Sequence, residues 1–204
     1  MPNKNILPLA GKPLCWHVSS TLLQCKTIDD IYIYCSDEKV MDYQPEGVIF
    51  RKREKWLDGD LIRANDTYQA FISEVDADIY VAGLTTAPFV KAASIDNAVR
   101  QIISGEYDSA FAAQKLQTFA WFQGKTLNYN PDIIPRTQDL EPVFVETSGF
   151  FAFRKEIWTE HHRRIGFKPY IQIVDDIEAV DIDTREDYDF ANIIAKAIGN
   201  SEVG

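Results

Sequence analysis

Residues 178–194 read "EAVDIDTREDYDFANII". Asp181 and Asp183 are separated by one apolar residue, and alternate side chains of a strand point to the same face. The spacing therefore predicts two carboxylates projecting together from a strand end, with Val180 and Ile182 turned toward apolar packing. Side-by-side carboxylates repel unless something positive lies between them. Mg²⁺ meets that need, because it takes oxygen ligands, uses one or two protein carboxylates and fills its shell with water and substrate phosphate. The same pair also reads as acidic residues at a helix start, favoured by the helix dipole. Spacing alone leaves both readings open. Thr184, with Asp187 three residues on, has the pattern of a capping box, so a helix is expected to follow directly.

The cations that could face such a pair are few. Lys4 and Asn5 open the chain, an ammonium beside a side-chain amide, suited to gripping phosphate and base or ribose; the plainer reading is a solvated terminus. In "FRKREKW", residues 50–56, Arg51 falls at an expected strand end, and alternation turns Lys52 away from it. The rest of that run reads as solvated surface. His17 lies on an expected helix in a structural role, and His161 and His162 with Arg163 and Arg164 read as an exposed helix end. No Ser-His-Asp or Cys-His arrangement can be assembled, and neither Gly-rich phosphate-loop nor dinucleotide fingerprint is present.

The elements that would position these residues alternate along the chain. "PLCWHVSSTLLQC" reads as a helix started by Pro13, "DDIYIYCSD" and "EGVIFRK" as strands, and Asp66 to Val75 as part of a helix beginning near Asp60. "ADIYVAGLTTAP" is a third strand running into a Thr-rich loop. "KAASIDNAVRQIISG" is a helix with Ile95, Val99 and Ile102 on one face and Gly105 as its stop. This order predicts an α/β doubly wound sheet, mostly parallel and flanked by helices, with ligands at the carboxyl ends of the strands. After Asp108 the pattern changes to strands joined by a tight turn at Gln123-Gly124-Lys125. A Pro-punctuated polar stretch and "VFVETSGFFAF", bent at Gly149, follow. Residues 114–150 thus read as an antiparallel arm on a single domain spanning 1–204, packing either on a partner subunit or on its own core.

Composition excludes some partners. A net charge of −10 argues against a nucleic-acid binder, and no apolar run reaches the roughly 20 residues of a membrane span. Three unpaired cysteines without a CxxC fit a reducing cytoplasmic compartment.

Taken together, "KNILPLAGKPL", "IYIYCSDEKV", "YVAGLTTAPF", "RTQDLEPVFVETSGFFAF" and "EAVDIDTREDYDFANII" resemble the acylneuraminate (CMP-sialic acid) cytidylyltransferase family, in the family's order and over nearly the whole chain. The resemblance implies a Rossmann-like nucleotidyltransferase fold and a homodimer joined by the arm. It implies transfer of CMP from CTP to the anomeric hydroxyl of a 2-keto-3-deoxy sugar acid, with release of pyrophosphate. Carried over residue by residue, Lys4, Asn5 and Arg51 match nucleotide contacts. Asp181 and Asp183 match the catalytic Mg²⁺-binding pair. Thr85, Thr86, Gln138, Thr147 and Gly149 fall where the family holds the sugar acid.

Two departures stand against this. The family's Gln-Pro-Thr-Ser-Pro turn reads Leu84-Thr85-Thr86-Ala87-Pro88 here, and Leu84 cannot make a glutamine's hydrogen bonds. Family members also carry a first strand and an A-R-x-G-S-K-like loop just before the segment that opens this chain. Two alternatives follow: a cytidylyltransferase whose beginning lies upstream of Met1, or a non-catalytic nucleotide- or sugar-acid-binding homologue that has lost the phosphate loop. Without the first strand, neighbouring edges of the sheet are expected to be unpaired or rearranged.

Overall fold

The computed structural model describes residues 3–201. A single 3₁₀ turn, Lys4–Ile6, leads into two short strands, β1 (Pro8–Leu9) and β2 (Lys12–Pro13). They pair antiparallel around Ala10 and Gly11, whose φ values of 47° and 79° make the mirror-image turn that suits a two-residue hairpin. Pro13 then caps α1 (Leu14–Leu23) in an extended conformation rather than sitting in its first turn. Next come β3 (Tyr32–Cys35), β4 (Ile49–Lys52), α2 (Ala64–Glu74), β5 (Ile79–Gly83) and α3 (Ala92–Ile103). The helix expected to begin near Asp60 starts at Ala64. There the Asp66 carboxylate accepts the Arg63 N–H at 2.8 Å, while residues before it form a 3₁₀ turn, Lys55–Asp58.

The second half holds β6 (Ser109–Leu116), β7 (Trp121–Phe122), β8 (Lys125–Thr126), β9 (Val143–Arg154), α4 (Lys155–His161), β10 (Pro169–Val174) and α5 (Arg185–Ser201). The hairpin at Gln123-Gly124 forms as expected, between β7 and β8. Because β6 and β9 pair out to Leu116↔Val143, the excursion from the sheet is residues 117–142, shorter than the expected arm.

The α/β class stands, but the sheet is mixed rather than mostly parallel. Its order is β10-β6-β9-β5; β10 is parallel to β6, and β9 is antiparallel to both β6 and β5. An antiparallel return needs no helical crossover, so the chain re-enters beside β6 directly from the excursion. The parallel pair β3–β4 forms a separate two-stranded ladder, with no backbone ladder to the four-stranded sheet among the described residues.

Helices cover both faces. On one, Ile95, Ala98, Val99 and Ile102 of α3 and Val18 of α1 pack on Ala110, Ala112, Phe150 and Ala152. On the other, Tyr68, Phe71 and Ile72 of α2 and Trp158 of α4 pack on Tyr80 and Phe153. The Phe71 ring also meets Tyr32 and Tyr34 of β3 at 5.5 and 5.3 Å, so α2 serves both ladders. Asp96, buried on α3, accepts the Lys26 and Thr27 N–H groups and the Thr27 hydroxyl, fixing the exit from α1. His17 has the structural role expected, its Nε2 2.9 Å from the Leu9 carbonyl oxygen.

Candidate active site

A small apolar cluster organises the site. Leu9 and Leu14, flanking the β1–β2 hairpin, pack with Ile182 and Ala191 in full burial, with Leu7, Phe89, Val180 and Tyr188 around them. The Tyr188 hydroxyl also donates to the Pro8 carbonyl. The beginning and end of the described chain therefore share one piece of core. Lys4, Asn5, Asp181 and Asp183 stand around it.

Residues 180–183 belong to no strand. A single backbone bond, Ile182 N–H to the Thr86 carbonyl at 2.9 Å, takes the place of a ladder. The expected alternation survives: Ile182 is fully buried and the two aspartates point away from it. Asp183 is exposed and its Oδ1 lies 3.0 Å from the Lys4 ammonium. Asp181 is half-buried; its Oδ2 accepts the Ser148 hydroxyl at 2.6 Å, and its Oδ1 is buried with no hydrogen-bond partner. Thr184 and Asp187 form the reciprocal cap: the Thr184 hydroxyl accepts the Asp187 N–H, and the Asp187 carboxylate accepts the Thr184 N–H. That N–H, then the Thr184 hydroxyl, hold Asp187 below the usual carboxylate range.

Asn5 joins through its side-chain oxygen, which accepts the Thr85 hydroxyl at 2.7 Å. The structure thus brings together Lys4 and Asn5, Thr85 and Thr86 just beyond β5, and Asp181 and Asp183 before α5. This is the carboxyl end of β5, the edge strand of the four-stranded sheet, and strand carboxyl ends are where α/β sheets hold ligands.

Four expected site residues lie outside this cluster. Arg51 donates to Glu74 of α2 at 2.7 Å and lines an open hollow of about 760 Å³ with Met41, Phe50 and Lys52. Gln138 is exposed on a 3₁₀ turn of the excursion, Thr137–Asp139. Thr147 is buried with its hydroxyl turned to the Ala112 carbonyl, and Gly149 is buried beside it. Ser148, between them, is the residue that reaches Asp181.

Among the described residues no three His, Cys, Asp or Glu side chains gather as a metal centre. Mg²⁺ does not require three, since one or two carboxylates with water and phosphate suffice. The orphaned Asp181 Oδ1 is the observation that fits a cation: an unpaired buried acceptor costs about 1–3 kcal/mol, and a metal would satisfy it. Lys4 shows that positive charge is already drawn to this pair. Among the described residues no helix is long and apolar enough to cross a membrane.

Comparison with known proteins gives the family and the fold. The profile of the cytidylyltransferase family matches residues 1–195. N-acylneuraminate cytidylyltransferase A of Danio rerio is 25% identical over 201 residues, covering 94% of this chain and 46% of its own length. The N-acylneuraminate cytidylyltransferase of Streptococcus agalactiae is also 25% identical, over 48% of its length, so the chain spans about half the length of these relatives. Pseudaminic acid cytidylyltransferase of Campylobacter jejuni is 24% identical over 96% of this chain and 90% of its own. Among solved structures, a CMP:2-keto-3-deoxy-manno-octonic acid synthetase complexed with CTP superposes with a TM-score of 0.70 at 14% identity, covering 97% of this chain and 93% of that one. A 4-diphosphocytidyl-2C-methyl-D-erythritol synthase from Anaerococcus prevotii gives 0.69 at 11%, covering 93% and 88%. The expected Rossmann-like nucleotidyltransferase fold is the one these structures share. With the family profile spanning all but its last residues, the chain belongs to the cytidylyltransferase family.

Proposed function

We propose that this chain transfers CMP from CTP to the anomeric hydroxyl of a 2-keto-3-deoxy sugar acid of the sialic-acid type, releasing pyrophosphate. The observation that carries the reading is the convergence of Lys4 and Asn5 with Asp181 and Asp183 at the end of β5. The relatives named for acylneuraminate and pseudaminic acid support the class of acceptor.

Such a transfer needs in-line positioning and charge neutralisation more than covalent help. Asp181 and Asp183 would hold Mg²⁺, which would supply Lewis-acid polarisation of the α-phosphate and a lowered pKa for the attacking hydroxyl. Lys4 is placed to exchange Asp183 for a phosphate oxygen. Asn5, its oxygen held by Thr85, keeps its NH₂ group for a nucleotide acceptor. Thr85 and Thr86 hold the loop edge where the sugar acid would lie, and Arg51 faces a separate hollow suited to the base. The excursion is read as a dimerisation arm. Trp121, Phe122, Ile133 and Ile134 on it are 63–75% exposed, more apolar surface than a solvated loop needs.

The test is a pyrophosphate-release assay with CTP, Mg²⁺ and a panel of sugar acids. Sugar-dependent release, abolished in Asp183→Ala, is the expected result. One observation favours a second reading, a binding protein without turnover. Lys4 is the only cation bonded to the aspartates among the described residues, and a triphosphate ordinarily takes more. CTP binding without release for any sugar acid would support that reading instead. Light scattering in solution tests the dimer.

A further inference from the structure

Between β6 and β9 the register breaks. Phe111 pairs with Phe151 but Ala113 pairs with Glu146, so two steps along β6 answer five along β9. The surplus residues stand opposite Ala112. Thr147 seals this bulge by donating to the Ala112 carbonyl, and Gly149 fits because an added Cβ would lie 3.3 Å from the Ala112 Cβ and 3.4 Å from the Thr147 hydroxyl oxygen. The ladder from β9 to β5 ends at Gly83↔Phe150, so the bulge emerges where the Thr85-Thr86 loop leaves the sheet. Bulges re-aim side chains, and this one aims Ser148.

Resting on the reading of Asp181 as a cation ligand, we propose that Ser148 is a positioning residue. Its hydroxyl fixes Asp181 Oδ2 and thereby presents Oδ1 to the divalent cation. A carboxylate with one oxygen tied at 2.6 Å cannot turn freely about its bond, so the direction of the other is set. That other oxygen is buried and accepts no hydrogen bond from any described residue. Here the bulge spends two buried residues, Thr147 and Gly149, on holding an oxygen with no protein partner. Ligating carboxylates are commonly held by such an outer partner, and losing one costs about 10–100-fold in metal affinity or activity.

The experiment is titration of Mn²⁺ alone into the nucleotide-free chain, followed by water-proton relaxation, with thermal midpoint as a folding control. Ser148→Ala should weaken Mn²⁺ binding about 10-fold or more at a nearly unchanged midpoint. Ser148→Thr, which keeps the hydroxyl, should restore most of it. If Ser148→Ala does not fold, the near-isosteric Ser148→Cys, with its weak donor, should still show weaker binding. Undiminished Mn²⁺ binding in Ser148→Ala or Ser148→Cys, with binding lost in Asp181→Ala, overturns the positioning role and leaves the metal site standing. No Mn²⁺ binding in the unaltered chain, or binding untouched by Asp181→Ala, overturns the metal site as well.

Discussion

Lys4 and Asp183 lie 179 positions apart and meet at 3.0 Å, closing the chain's beginning onto the start of its last helix. Asp183 is largely exposed, and an exposed pair of this kind contributes at most about 1 kcal/mol. Lys4→Met is therefore expected to move the thermal midpoint by no more than a few degrees. Pyrophosphate release should nevertheless fall by about 10-fold or more, since an oriented charge at the phosphates would be lost. Parallel melting and turnover measurements check both halves. A large midpoint drop with proportionate loss of activity would make Lys4 a structural clamp.

The cap at Thr184 sets where α5 begins and so where Asp183 points. Thr184→Ala should cost about 1 kcal/mol, typical of a lost threonine cap. It should also raise the Mg²⁺ concentration needed for half-maximal turnover. Urea unfolding with a Mg²⁺ titration of activity gives the two numbers; an unchanged Mg²⁺ requirement would separate the cap from the site.

Acid should unfold the chain partly through Asp96. Burial pushes this carboxyl up, but the Thr27 hydroxyl and the Lys26 and Thr27 N–H groups outweigh it and hold it below its ordinary value. A carboxylate depressed in the folded state contributes stability above its unfolded pKa of about 3.9, and that contribution is lost as pH falls through the lower folded value. The thermal midpoint should therefore drop below about pH 4. In Asp96→Asn it should be lower at pH 7, with a shallower acid slope, which melts across pH 2–7 would show.

Burial first, and then the Asp96 carboxylate, push the Cys25 thiol up to about 12. At pH 8 it is a neutral thiol and a poor nucleophile. Iodoacetamide at pH 8 should leave Cys25 unmodified in the native chain and label it in urea, as read by peptide mass spectrometry.

Local pattern made much of this legible in advance. Ile95, Val99 and Ile102 at helical spacing are all buried, and "DIDTRED" gave both the buried Ile182 and the reciprocal cap. What stayed hidden was non-local. The direction of β9 depends on its partners β5 and β6, distant in sequence, which is why the sheet is mixed. Residues 180–183 alternate like a strand, yet only the Thr86 carbonyl was there to pair with them. Arg51 meets Glu74 across 23 residues, a partner that no spacing rule supplies. Thr147 and Gly149 flank Ser148 on β9, but the bulge that turns Ser148 to Asp181 is a matter of register with β6, invisible in one strand alone.

The separation of the β3–β4 ladder from the four-stranded sheet has a mechanical consequence. Phe71 and its neighbours on α2 tie the two ladders by ring contacts, with Arg51 and Tyr34 also bonded to Glu74 of α2, and such side-chain contacts can rearrange where ladder hydrogen bonds must break. The Arg51 side of the molecule can thus shift against the Asp181 side without unpairing any strand. Amide exchange should resolve two protection classes, β3–β4 opening at lower free energy than β6–β9. Nucleotide spanning both would draw them into one.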